Sequence, residues 1–292
     1  MKFGFVLPGG DARRAGESAR EAEEAGWDGF FVWEPVWGVD AWIQLTVAAM
    51  QTERIRLGTM ITPVSRMRPW KLASETATLD NLSNGRVILS VGLGAIDSGF
   101  EAFGEVTDRK TRAELLDEGL DILTGLWRGQ PFNYTGTHYK IKETRFAPPS
   151  PPVQKPRIPV WVVGAWPRPK SMQRVLRYDG LLPHKMNDKG EIINFTPDDI
   201  REMKAFVDEH RTLETPFDIV VEGTTPGGAP RLARRRRKFA RGPRPARRGG
   251  SSPCGARTRR RLTSASGKAR PVWDDVQCPK LTAPAPAPAA SL

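Results

Sequence analysis

Two glycine-bearing segments stand out for the chemistry they allow. Gly92-Leu93-Gly94 follows an apolar run ending at Val91. A glycine pair at the C-terminal end of a strand lets backbone N–H groups approach a phosphate or a flat ring. A tight turn that binds nothing needs the same pair, and both readings stand at this level. Gly164-Ala165-Trp166-Pro167-Arg168-Pro169-Lys170 combines a flexible glycine, a flat aromatic ring and two cations ahead of a helix start. Cations at a helix N-terminus suit an anionic phosphate. The alternative is a proline-stiffened loop with solvated charges.

A third segment, Trp33-Glu34-Pro35-Val36-Trp37, sets two tryptophans around a carboxylate. Trp33 and Trp37 suit the walls of a pocket for a planar ligand. Glu34 is a candidate proton donor or acceptor if an apolar setting raises its pKa. Pairing with an arginine would make it structural instead. Arg66 and Arg68 are placed to hold an anionic ring edge or substrate, or else are surface groups at a helix start. His138, His184 and His210 are far apart and match no metal-ligand spacing. Both cysteines, Cys254 and Cys278, lie near the C-terminus, so neither a metal site nor a disulfide framework is expected in the main body.

These groups need elements to position them, and the chain alternates short apolar runs with amphipathic ones. Strands are expected at Lys2–Leu7, Gly29–Trp33, Ile55–Ile61, Arg86–Val91, Val160–Val163, Gly180–Leu182 and Phe217–Val221. Helices are expected at Ala12–Ala25, Val39–Met50, Trp70–Leu82, Asp108–Trp127, Lys170–Arg177 and from Thr196 to about His210. Gly26 suits a helix C-terminus. Thr196-Pro197-Asp198-Asp199 suits a helix start. Phe132–Ile141 reads as a hairpin turning at Thr135-Gly136-Thr137. Strands separated by helices imply a parallel sheet. Seven of them approach a (β/α)8 TIM-type barrel that is one strand short. Gly26-Trp27-Asp28-Gly29-Phe30-Phe31 and Arg177-Tyr178-Asp179-Gly180-Leu181-Leu182 echo one another, although Asp-Gly is also a common turn pair.

The composition breaks near Gly228. Residues 229–292 hold 17 of the 45 basic and 2 of the 33 acidic side chains, leaving 28 basic and 31 acidic in 1–228. The net charge of +12 is therefore a property of the tail. Two regions are expected: a barrel over 1–228 and a disordered Arg/Pro/Ala-rich tail over 229–292. Nucleic acid is an expected partner only through that tail. The tail also reads as GC-rich coding text in a shifted frame, or as a solvated extension. No apolar run of about 18 residues suggests a membrane span, and Met1–Pro8 reads as a strand rather than a signal peptide. A cytoplasmic location is expected. Missing one strand would leave two sheet edges unpaired, which a homodimer is one way to cover.

Ala73-Ser74-Glu75-Thr76-Ala77-Thr78-Leu79-Asp80-Asn81-Leu82-Ser83-Asn84-Gly85-Arg86-Val87-Ile88-Leu89-Ser90-Val91-Gly92-Leu93-Gly94 resembles the signature region of the bacterial luciferase-like monooxygenases. Phe3–Pro8, Glu114–Trp127 with Phe132–Tyr139, and Ile158–Gly164 with Tyr178-Asp179-Gly180 agree with it in order. The resemblance implies an oxidoreductase with a TIM-type barrel. It would bind reduced FMN or reduced coenzyme F420 at the barrel mouth and act on a small organic substrate. With FMN the reaction would consume O2; with F420 a hydride would move to or from the cofactor. It further implies that Thr59, Met60 and Ile61 back the ring, with a non-prolyl cis peptide near Met60-Ile61. Gly92, Gly94 and Ala95 would line the ribityl-phosphate chain, and Gly164, Ala165 and Trp166 would close the phosphate end. Where F420-using relatives often carry Asp-His, this chain reads Glu34-Pro35.

Overall fold

The structure is a computed structural model that describes residues 1–145 and 150–223. The chain alternates as its apolar pattern requires. β1 (Gly4–Val6), α1 (Ala12–Ala25), β2 (Gly29–Val32), α2 (Ala41–Gln51) and β3 (Arg56–Thr59) come first. β4 (Thr62–Pro63), α3 (Pro69–Leu82), β5 (Val87–Gly92) and α4 (Arg109–Arg128) follow. A hairpin of β6 (Phe132–Thr135) and β7 (Lys140–Thr144) leads to β8 (Val160–Trp166), α5 (Pro169–Leu176) and β9 (Gly180–Met186). β10 (Ile192–Ile193), α6 (Pro197–His210) and β11 (Asp218–Ile219) complete the described part.

Local chemistry fixes the helix ends. Asp11, Asp40 and Asp108 each accept a backbone N–H in the first turn of the helix they precede, which satisfies donors the helix itself leaves open. Gly26 closes α1 at φ 89°, a left-handed value that disfavours a β-carbon. Thr196 and Asp199 form a reciprocal capping box on α6. Along α4, Leu116, Leu120, Leu123 and Trp127 form one buried stripe, each fully buried leucine contributing about 1.5–3 kcal/mol.

The sheet runs β1-β2-β3-β5-β8-β9, with β11 on the far side of β9, and these seven strands are all parallel. Each pairs with the next one in the chain, the order of a (β/α)8 barrel. β4 extends β3 alongside β5, and the short β10 pairs antiparallel with β9. Alternate residues face opposite sides. Phe30, Val32, Leu57, Leu89, Val160, Val162 and Leu181 belong to the core shared with the helices. Phe31, Met60, Ile88, Trp161 and Leu182 form a second, inner cluster, joined by Val6 of β1 and by Val220 just beyond β11. Because the first and last strands both reach that cluster, the sheet curls around it.

The inner cluster is plugged by two large rings, Phe31 and Trp161, with centroids 5.5 Å apart. Bare backbone makes room for them: a β-carbon on Gly58 would stand 2.4 Å from the Ile88 carbonyl oxygen, and one on Gly180 2.2 Å from the Trp161 ring. Between β1 and β11 the ring of strands is open among the described residues. Val272-Trp273, the best sequence candidate for an eighth strand, and the rest of 229–292 lie outside the described residues.

The sequence echo has a structural counterpart. Asp28 and Asp179 each accept a hydrogen bond from the first backbone N–H of the preceding strand segment, Phe3 at 2.9 Å and Val160 at 3.1 Å. Each donates its own N–H to the carbonyl of that same residue. Each carbonyl then accepts from the next strand, Arg56 and Asp218 respectively, at 3.0 Å.

Two strands run well past their expected ends, while Ile55–Ile61 and Phe217–Val221 shorten to Arg56–Thr59 and Asp218–Ile219. β8 and β9 run on to Trp166 and Met186 instead of stopping at Val163 and Leu182. Gly164 and Pro183 read as stops, yet they stand opposite one another within the pairing.

Candidate functional site

The C-terminal ends of the parallel strands form a mouth above the Phe31–Trp161 plug. Period-two alternation decides what faces it. On β2, Phe31 is inward, so Trp33 is inward too and Glu34 is not. On β8, Trp161, Val163 and Ala165 are inward. On β9, Gly180 beneath Trp161 and Leu182 in the inner cluster put His184 inward as well.

Trp33 and Trp37 sit on the rim, 52% and 83% exposed. Met60 and Ile61 both pack in the inner cluster, and the peptide bond between them is cis. Gly92 meets Ile61 and Val163: a β-carbon there would come within 2.7 and 2.9 Å of their side chains. Met60, Ile61, Gly92, Ala165 and Trp33 therefore converge on the mouth. Thr59 lies beside it, wholly buried, sharing a 2.8 Å hydrogen bond with Thr62.

Other expected residues face elsewhere. Gly164 turns toward α5, where a β-carbon would strike Leu181, Val175 and Met172. Trp166 packs edge-on against Phe206 of α6 with centroids 5.6 Å apart. Gly94 is wedged between Pro63 and Phe100 at φ 75°. Arg112 of α4 holds this loop by donating to the carbonyls of Leu93 and Gly94 at 2.9 and 3.1 Å. Ala95 is exposed just beyond.

Glu34 points into the α2–α3 side. Its side chain is only 8% exposed, and its Oε1 lies 3.9 Å from Arg66 Nη2. Burial pushes its pKa from 4.5 up to about 7, opposed by Arg66 and reinforced by Asp40 and Glu75. The Trp42 N–H lies near the carboxylate without completing a hydrogen bond, and Oε2 has no partner. Arg66 Nη2 donates to the carbonyls of Glu34 and Pro35 at 2.6 and 2.8 Å. Arg66 thus straps down the rim loop, and Arg68 lies over the Trp70 ring at 5.9 Å.

A cleft of about 380 Å³ opens beside the mouth, between the loop after β5 and the starts of α4 and α5. Arg109, Lys110, Arg168, Lys170 and Arg174 line it against Glu114 and Asp117. Arg174 is paired with Asp117 and Lys110 with Glu114, while Arg109 and Lys170 have no ion pair among the described residues. Ser171 Oγ accepts the Ala165 N–H at 2.9 Å, so its own hydroxyl proton remains free to donate. Net positive charge, a free hydroxyl and a helix N-terminus together suit an anionic group.

The profile of the luciferase-like monooxygenases matches residues 1–251. This chain belongs to that family. The match runs past residue 228, where the composition changes. An F420-dependent glucose-6-phosphate dehydrogenase of Amycolatopsis mediterranei is 32% identical over 162 residues, covering 52% of this chain and 47% of that protein. The oxygenase component of a flavin-dependent trigonelline monooxygenase of Acinetobacter baylyi is 31% identical over 119 residues, covering 41% of this chain and 32% of that protein. This chain spans under half the length of these curated relatives. Among solved structures, monooxygenase RslO1 of Streptomyces bottropensis superposes with a TM-score of 0.61 at 24% identity, over 76% of this chain and 70% of that one. The F420-dependent tetrahydromethanopterin reductase of Methanopyrus kandleri gives 0.61 at 22% identity, over 75% and 65%. Both likenesses establish the fold. The family uses a flavin or F420, and among the described residues no helix is long and apolar enough to cross a membrane.

Three groups at this cleft and mouth escaped the sequence reading. Ser171 and Arg109 lie inside expected helices and carry no motif of their own. His184 sits beyond a proline that reads as the end of its strand.

Proposed function

We propose that this chain binds F420 at the mouth and moves a hydride between it and a small organic substrate. The observation that carries this reading is the cationic cleft at the start of α5. F420 ends in a phosphodiester with an oligoglutamate tail, an oligoanion that suits several cations better than one phosphate does. Arg109, Arg168, Lys170 and the Ser171 hydroxyl would hold that end. Met60, Ile61 and Gly92 would back the flat ring, with Trp33 covering it from the rim and helping to exclude water. When bound, the deazaflavin supplies the hydride chemistry, and the protein supplies position and a dry enclosure. The flavin-dependent relative favours a second reading, in which the cleft holds the single phosphate of FMN and the reaction consumes O2.

Titration of the full chain with each cofactor, followed by fluorescence, tests this. F420 should bind at least about tenfold tighter than FMN, and Ser171→Ala should weaken it about fivefold, the loss of one hydrogen bond. Affinity should fall as salt rises. Tighter FMN binding, with oxygen uptake by the reduced complex, would select the second reading. Saturable binding of neither would end both.

A further inference from the structure

The mouth carries an imidazole that no sequence motif marks, with one carboxylate acting on its charge. β9 and β11 pair with Asp218 level with Gly180 and Ile219 level with Leu181. The register continues as Val220 donates its N–H to the Leu181 carbonyl at 2.9 Å. Beyond that last bond the chain carries Glu222 to within electrostatic reach of His184. On the other side, β8 pairs Ala165 directly with His184. Gly180, Leu182 and His184 share the inward face of β9, so the imidazole stands in the mouth, one layer above Val163 and Leu182. Both His184 and Glu222 are exposed there. Partial desolvation by surrounding groups still lowers the His184 pKa, and Glu222 acts to raise it.

The other charges nearby are committed elsewhere. Lys185, on the outer face, is paired with Asp199 of α6 at 2.7 Å. Arg168, in the loop after β8, donates to the Asn187 carbonyl and lines the cationic cleft. Asp218 stands level with Gly180, at the far end of the strand. The residues of β10 beside β9 are Ile192 and Ile193. Glu222 is thus the charged group left to act on the imidazole among the described residues.

We propose that His184, with Glu222 beside it, is the proton-transfer group of this mouth. The proposal rests on the hydride-transfer reading above. In the oxidising direction the substrate O–H bond breaks and its proton passes to the free imidazole nitrogen. The bound oxidised cofactor would accept the C–H hydrogen with its electron pair as the C=O bond forms. Glu222 stabilises the imidazolium. The reverse direction returns the proton to the carbonyl oxygen.

Nuclear magnetic resonance of the full chain, with histidine labelled at Cε1, tests the pair, using whichever of F420 and FMN binds. His184→Gln assigns the resonance. Saturating cofactor should move the His184 signal and leave His138 and His210, on the outer helices and hairpin, in place. Glu222→Gln should lower the His184 titration midpoint by about half a pH unit. His184→Gln should keep cofactor affinity within about threefold. A His184 signal unmoved by a cofactor that fluorescence shows to be bound, or a midpoint indifferent to Glu222→Gln, overturns the pair and leaves the cofactor reading standing. Binding of neither cofactor overturns both.

Discussion

Neighbouring side chains on one strand end can have opposite fates, and Trp33 and Glu34 show the consequence. Alternation sends the indole to the mouth and the carboxylate into the helical layer, where Arg66 meets it. A carboxylate whose pKa is raised in the folded state binds its proton more readily there than in the unfolded chain. Between pH 4.5 and about 7 the native state therefore holds more of that proton, and stability falls as pH rises, by up to about 1.4 kcal/mol per pH unit. Glu34→Gln should remove that slope. Subtracting denaturation profiles of variant and wild type isolates it from His184, whose lowered pKa gives the opposite slope. Parallel profiles would show that Glu34 titrates normally. Pairing with an arginine was a readable alternative in the sequence, though not that Arg66 would be the partner, because an apolar setting around a carboxylate suits a buried ion pair as well as a catalytic acid. His184 was not readable. Its inward position depends on β9 continuing through Pro183, and proline in isolation signals a strand end.

At the scale of elements, the repeated Asp-Gly turn does the same backbone work twice with different burdens. Asp28 caps β1 through one bond at an exposed edge. Asp179 also accepts from Arg157 at 3.0 Å and from Thr215 at 2.8 Å, with Arg211 at 3.6 Å. The Arg211 side chain is buried, so removing Asp179 strands a cation inside the protein. Asp179→Ala should cost about 3–5 kcal/mol and Asp28→Ala about 1 kcal/mol, read from urea midpoints of the full chain. Equal losses would mean that the arginines at Asp179 contribute nothing. Helix limits were legible because Gly26, Asp108 and the Thr196–Asp199 box act locally. Strand limits at Gly164 and Pro183 were not, because pairing with the neighbouring strand overrides a local stop signal.

For the molecule as a whole, the parallel sheet was legible from the strand–helix alternation, since each crossover sets the next strand parallel and most often beside the last. Whether the ring closes is a different matter, because closure depends on a partner for β1 and β11 that alternation does not specify. β5 is hydrogen-bonded on both sides, to β3 with β4 and to β8. β1 pairs only with β2 among the described residues, over three register positions. Protection against hydrogen exchange follows how much structure must open to free an amide. Amides of Leu89 and Val91 should therefore exchange only with global unfolding, while those of Gly4 to Val6 exchange by local opening orders of magnitude faster. A second copy of the chain bridging the gap would protect β1 in proportion to protein concentration. Protection of β1 equal to that of β5 at every concentration would mean instead that the same polypeptide closes the ring, and the seven-strand description would have to give way to a complete barrel.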